Sequence, residues 1–199
     1  MAMAISALVI LNHLRPHLSR AAYRLGQAAT LAMLGVALMF GGMTVWFQAH
    51  QAMAGVPVQS ENFWARLAGA GWALWFYLGK AIMPLNLNLI YPRWEINATA
   101  PAAWLPLVLW VAVIAGCWKF RSGWGRSALF ALGFFAVNLF PALGFFDMYF
   151  LAISRVSDHF QYVSLVAVAA VTGAALSALP FGALRGIAPA LLLTLALLT

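Results

Sequence analysis

Long apolar stretches separated by short polar loops dominate the chain. Uninterrupted apolar runs lie near 28–46, 101–118, 127–146 and 162–179, close to the roughly 20 residues that a helix needs to span a bilayer. Shorter runs occupy 1–14 and 187–199. A further stretch, 64–83, is apolar but carries Arg66 and Lys80 and is crowded with Trp64, Trp72, Trp75, Phe76 and Tyr77. The pattern predicts an all-α, polytopic transmembrane helical bundle. Pro84 should end the 64–83 helix, and Pro92 and Pro101 should prevent its continuation through Pro84–Trp94. Pro141 should kink the helix over 127–146.

Composition agrees. Hydrophobic residues make up 65% of the chain and charged residues 8%, against about 25% charged in a soluble domain. The formal net charge of +7 invites a nucleic-acid reading, but the charges sit in short loops between spans, where the positive-inside rule accounts for them. No nucleic-acid partner is expected. Cys117 is the single cysteine, so an internal disulfide and a thiolate metal cluster are excluded. No spacing argues for a metal or other cofactor. Basic residues follow the first apolar run rather than precede it, unlike a signal peptide.

Charge also gives an orientation. Arg15, Arg20, Arg24, Lys119, Arg121, Arg126 and Arg185 fall in loops with no acid nearby and are assigned to the cytoplasm. The four acids, Glu61, Glu95, Asp147 and Asp158, fall on the opposite side with Arg66, Lys80, Arg93 and Arg155. Parity then constrains 64–83. A full crossing there would place the Lys119–Arg126 loop outside. The helix near 64–83 must therefore enter the membrane and return, or lie at the interface. Irregular backbone at membrane depth needs cover from protein or from a water-filled cavity.

The outer side gathers three polar groups: Arg66, Tyr77 and Lys80; Arg93 and Glu95; and Arg155, Asp158, His159 and Tyr162. The last four are spaced i, i+3, i+4, i+7 and would share one face of a helix. Each group has a bland explanation. Tyr77 and Lys80 would anchor at the headgroups, Arg93 and Glu95 would form a surface ion pair, and Arg155 would pair with Asp158. Against that, ionisable groups at membrane depth tend to mark a binding site or pathway, and cations at headgroup level suit a lipid phosphate.

Several ordered segments resemble a known family. They are Thr44-Val45-Trp46-Phe47-Gln48, Trp75-Phe76-Tyr77-Leu78-Gly79-Lys80, Pro84-Leu85-Asn86-Leu87, Ile90-Tyr91-Pro92-Arg93-Trp94, Phe140-Pro141-Ala142-Leu143-Gly144-Phe145-Phe146 and Ser157-Asp158-His159-Phe160-Gln161-Tyr162. Together they resemble the membrane region of bacterial tetratricopeptide-repeat glycosyltransferases. These are similar to the eukaryotic transmembrane and tetratricopeptide-repeat O-mannosyltransferases, the TMTC family. The resemblance covers about residues 30–180. It implies a partial GT-C-like fold in the bacterial inner membrane with its site on the extracytoplasmic face. It also implies a polyprenyl-phosphate-sugar donor and a protein or glycan hydroxyl as acceptor.

In that class the carboxylate base lies in the first outer loop, which this chain is expected to lack. The chain thus reads as a single membrane domain, 1–199, truncated at both ends and inactive alone. No catalytic residue is assigned within it. Lys80, Arg93, Arg155 and His159 are the candidates for the lipid phosphate, supported by Tyr77, Glu95, Asp158, Tyr162 and Arg66. Asp158 would hold Arg155 or orient His159. A transporter or lipid-handling subunit is the alternative. A transporter should carry charge near the bilayer midplane, and the runs 28–46 and 162–179 carry none.

Overall fold

The structure, a computed structural model, describes residues 7, 11, 15–48, 50, 61–178, 190 and 194. All regular elements among them are helical, with no strand. The longer helices are α1 (Arg20–Phe47), α2 (Phe63–Ile82), α3 (Leu105–Lys119), α4 (Gly125–Leu139) and α5 (Leu165–Ser177). Short 3-10 turns precede α3 (Pro101–Trp104), follow α4 (Phe140–Leu143) and precede α5 (Asp158–Gln161). Three stretches are long and apolar enough to cross a membrane: Arg20–Phe47, Pro101–Lys119 and Gly125–Leu143. The chain is an all-α integral membrane protein. The apolar runs at 1–14 and 187–199 lie almost entirely outside the described residues.

The chain divides into two compact units: Met1–Val58 with Asp147–Tyr149, and Gln59–Phe146 with Phe150–Thr199. The first contains α1. Its Ser19 N-cap accepts a hydrogen bond from the Ala22 N–H, closing one of the donors left open at a helix start. Only Thr30 is buried along α1, and Leu31, Val36, Leu38 and Phe40 stand exposed. A helix apolar all round and bare on most sides is what a bilayer accommodates.

The second unit is a bundle of α2 to α5. Asn62 caps α2 by accepting from the Ala65 N–H at 2.9 Å. Its buried residues are mostly small: Ala65, Ala68, Gly69, Ala70, Gly71 and Ala73. Lipid tails are as apolar as leucine, so helices in a bilayer associate through close packing rather than hydrophobic exclusion. Small residues permit that approach. A Cβ on Gly71 would stand 2.7 Å from the Leu107 backbone nitrogen. The indole N–H groups of Trp72 and Trp75 donate to the carbonyls of Ala103 and Pro106, at 3.2 and 2.8 Å. Trp110, Phe135, Leu139 and Leu143 fill the centre beside Leu74 and Tyr77, and Cys117 is buried as a small core residue.

Two expectations change. The 127–146 helix does not bend at Pro141. It ends at Leu139, tightens into the Phe140–Leu143 turn, and closes on Gly144 in the left-handed region, φ 94°. The one-face helix through Arg155, Asp158, His159 and Tyr162 does not form either. Residues 154–157 have no helical turn, and Asp158–Gln161 is only a 3-10 turn. Tertiary partners override the spacing, because each polar side chain in this stretch is drawn to a different neighbour.

α2 runs beside α3, and the chain after it doubles back along the helix. Trp64 meets Trp104 at one end of α2, and Trp75 meets Trp110 further along. After Ile82 the chain turns, with Asn86 in the left-handed region at φ 51°. It comes back until Arg93 and Trp94 line the same small cavity as Glu61, just before α2.

Gly71→Ala should lower the thermal midpoint of the purified protein, at a cost of about 1–3 kcal/mol for overpacking against backbone. A Cβ on Gly79, on the same helix, would meet nothing within 4 Å, and Gly79→Ala should leave the midpoint unchanged or raise it slightly. Equal effects of the two would refute the close helix contact.

Candidate functional site

An extended polar segment, Ser154 to Asp158, runs buried alongside α2. Ser154 and Ser157 have no exposed surface, and Arg155 and Asp158 are 6% and 7% exposed. Burying this much polarity requires partners for each group. The Ser154 hydroxyl accepts from the Tyr91 N–H at 3.0 Å and donates to the Val156 carbonyl at 2.7 Å. The Ser157 N–H donates to the Tyr77 hydroxyl at 3.1 Å. Tyr77, fully buried, is therefore a support inside the bundle and not a headgroup anchor.

Arg155 does not pair with Asp158. Its Nη1 donates to the Glu61 carboxylate at 2.5 Å, and its Nη2 approaches the Arg66 carbonyl at 3.4 Å. Its Nε is buried without a protein partner. The guanidinium occupies a notch that exists because residue 69 is glycine; a Cβ there would lie 2.0 Å from Nη2. Arg66 itself donates from Nε to the Glu61 carbonyl at 3.2 Å. Glu61 thus gathers both arginines at the start of α2.

Asp158 takes other partners. One carboxylate oxygen accepts from the Asn88 N–H at 2.5 Å and from the Tyr91 hydroxyl at 2.7 Å. The other is buried and has no protein partner, as is the Gln161 side-chain oxygen. Burial first, and then the bond to Asp158, push the Tyr91 phenol up to about 12. Tyr91 lies outside the candidate spans, and at neutral pH it stays a donor. Asp158 therefore neither holds Arg155 nor orients His159. The imidazole Nδ1 of His159 lies 2.6 Å from the Ser157 hydroxyl, and its ring packs on Phe150 and Phe160.

Lys80 serves the returning chain. Its ammonium donates to the Leu85 and Asn86 carbonyls and stands over the rings of Phe76 and Tyr91, at 5.6 and 5.2 Å. The turn after α2 leaves carbonyls without helical partners, and Lys80 satisfies two of them. Arg93, by contrast, is exposed and forms no ion pair with Glu95, which is exposed as well. Tyr162 is 66% exposed.

The candidates thus separate. Arg93 and Arg155 line one small cavity, of about 10 Å³, with Glu61, Trp94 and Leu151. Lys80 and His159 are not among its walls. Sequence reasoning missed Glu61 as the partner of Arg155, and missed Gly69 and Tyr91 as the groups that seat Arg155 and Asp158. Glu61 was visible only as an acid near the start of a helix, and its partner lies 94 residues away. Among the described residues no cluster of three or more His, Cys, Asp or Glu could hold a metal. Comparison of the chain with protein-family models, with curated proteins and with solved structures finds no match in any of the three.

Arg155→Ala should be strongly destabilising, by about 3–5 kcal/mol, because it leaves Glu61 unpaired in a mostly buried position. Arg93→Ala, at an exposed side chain, should change stability by less than about 0.5 kcal/mol. Denaturation of the two variants in one detergent checks the contrast. Similar losses would remove the distinction between a seated and a free arginine.

Proposed function

We propose that this chain is part of an integral-membrane glycosyltransferase of GT-C type. It would move a sugar from a polyprenyl-phosphate donor to a protein or glycan hydroxyl on the extracytoplasmic face, in a bacterial inner membrane. The chain supplies the lipid-phosphate side of the site. The observation that carries the reading is the shared cavity of Arg93 and Arg155, two cations 62 residues apart in sequence (155 − 93). Departure of the sugar leaves negative charge on the phosphate, and preorganised cations aimed at that charge lower the barrier.

The two arginines divide the work. Arg93 is exposed and has no protein partner among the described residues, so it is free to grip a phosphate in bidentate fashion. Arg155 is held by Glu61, but its Nε–H remains uncommitted. Lys80 and His159 act at one remove. Lys80 holds the return loop that leads to Arg93, and His159 braces the Ser157 end of the buried segment. No residue here takes the role of base.

A lipid-handling subunit is the second reading. It draws on an open apolar groove along Leu78, Ile82, Leu132, Phe135, Val168 and Val171, whose lining could face a lipid chain without any transfer chemistry.

Binding of a short-chain polyprenyl monophosphate to the purified chain tests the first reading. Arg93→Ala should weaken binding about tenfold or more, in line with loss of one charge-assisted bidentate contact, and Arg93→Lys should recover part of it. Labelled-sugar transfer by the gene product in membranes should fall in parallel. Unchanged binding in Arg93→Ala removes the cavity as the phosphate site. Binding without any transfer favours the lipid-handling reading.

A further inference from the structure

A second group of cations converges within the first unit, independently of the outer cavity. Arg15, Arg20 and Arg24 line one open recess together with Leu18, Tyr23 and Gln27. The Arg15 guanidinium lies over the Tyr23 ring, 5.6 Å from its centroid. The Tyr23 hydroxyl accepts from the Gln27 side-chain amide at 3.2 Å. Arg15 therefore rests on a tyrosine that α1 itself holds in place.

The sequence on either side of these charges supplies no acid, and Asp147 is the unit's one carboxylate. No Asp or Glu occurs in residues 1–60, and the first turn of α1 contains no acid. Arg20 is the first residue of α1 and Arg24 lies one turn along it, at the end of the helix where the backbone dipole is already positive. Cations there raise the energy of the helix unless an anion stands among them. The positive-inside rule explains why basic residues fall on this side. It does not require three of them to surround one recess.

The surroundings indicate the kind of anion. α1 is a candidate membrane span that begins at Arg20, so the recess opens where the span leaves the bilayer. A phosphodiester at that level meets guanidinium forks suited to bidentate contact. Basic pockets at the cytoplasmic ends of helices suit anionic lipid headgroups. We propose that Arg15, Arg20 and Arg24 form a binding site for the phosphodiester headgroup of an anionic phospholipid, in the leaflet where α1 begins.

The test uses the full chain in a neutral detergent, titrated with short-chain phosphatidylglycerol, the matched phosphatidylcholine, or inorganic phosphate. Bound lipid is counted by native mass spectrometry, and the thermal midpoint is followed in parallel. Phosphatidylglycerol should bind at least tenfold more tightly than phosphatidylcholine and raise the midpoint. The combined Arg15→Gln, Arg20→Gln and Arg24→Gln variant should lose that preference. A combined Lys119→Gln, Arg121→Gln and Arg126→Gln variant removes the same charge from another loop and should keep it. Equal losses in the two would reduce the effect to net charge and overturn the site. An equal midpoint shift with inorganic phosphate would overturn the lipid as its source. Should the Gln variant fail to insert, the Arg15→Lys, Arg20→Lys and Arg24→Lys variant keeps the charge but loses the planar forks. Its preference should fall several-fold, and an unchanged preference would equally overturn the proposal.

Discussion

The second unit is organised around one buried ion pair, Arg155 with Glu61, seated in the notch at Gly69. An arginine this deeply buried is tolerable only with its charge matched and its N–H groups largely satisfied. The match requires the start of α2 to lie against residues 154–157, and the notch requires the helix backbone to be bare at that point. Once the guanidinium is fixed, its neighbours have little freedom. Ser157 reaches the Tyr77 hydroxyl, Asp158 reaches the backbone of Asn88, and the return loop is drawn to the bundle. The packing of small residues along α2 then serves two purposes: it admits the guanidinium on one side and α3 on the other.

Hydropathy made most of the helices legible. A bilayer imposes a length and an apolar content on any span, and the runs at 28–46, 101–118 and 127–146 correspond to the three stretches fit to cross. The turn at Pro84 was legible too, because proline cannot continue a helix. The polar contacts were not legible. The i, i+3, i+4, i+7 spacing of Arg155, Asp158, His159 and Tyr162 assumes a helix, and periodicity carries no information about which distant carboxylate an arginine will choose. Glycines 69 and 71 looked alike in sequence, yet one faces a guanidinium and the other a backbone. That difference belongs to three-dimensional proximity alone.

The return loop shows how irregular chain is kept close to a helical bundle. Leu85, Leu87 and Leu89 are exposed, and they alternate with Asn86 and Asn88, whose backbone groups carry the hydrogen bonds. Lys80, Tyr91 and Asp158 supply the partners for those groups. The loop turns apolar side chains outward and satisfies much of its own backbone inward. Lys80, read from sequence as a phosphate ligand, proves to be part of that arrangement, and Arg93 at the far end of the loop is left uncommitted.

The long separation of Glu61 and Arg155 bears on how the protein is made. At about 5–20 residues per second, the ribosome needs about five to twenty seconds to add the 94 residues between them. For most of that interval the residues of α2 and its return loop have been made, but neither Glu61 nor the Asn88 backbone has met its partner. The hairpin therefore cannot make these contacts until the segment before α5 has been made. A nascent chain stalled before residue 155 would carry α3 and α4 and still leave the cavity of Arg93 without one of its walls.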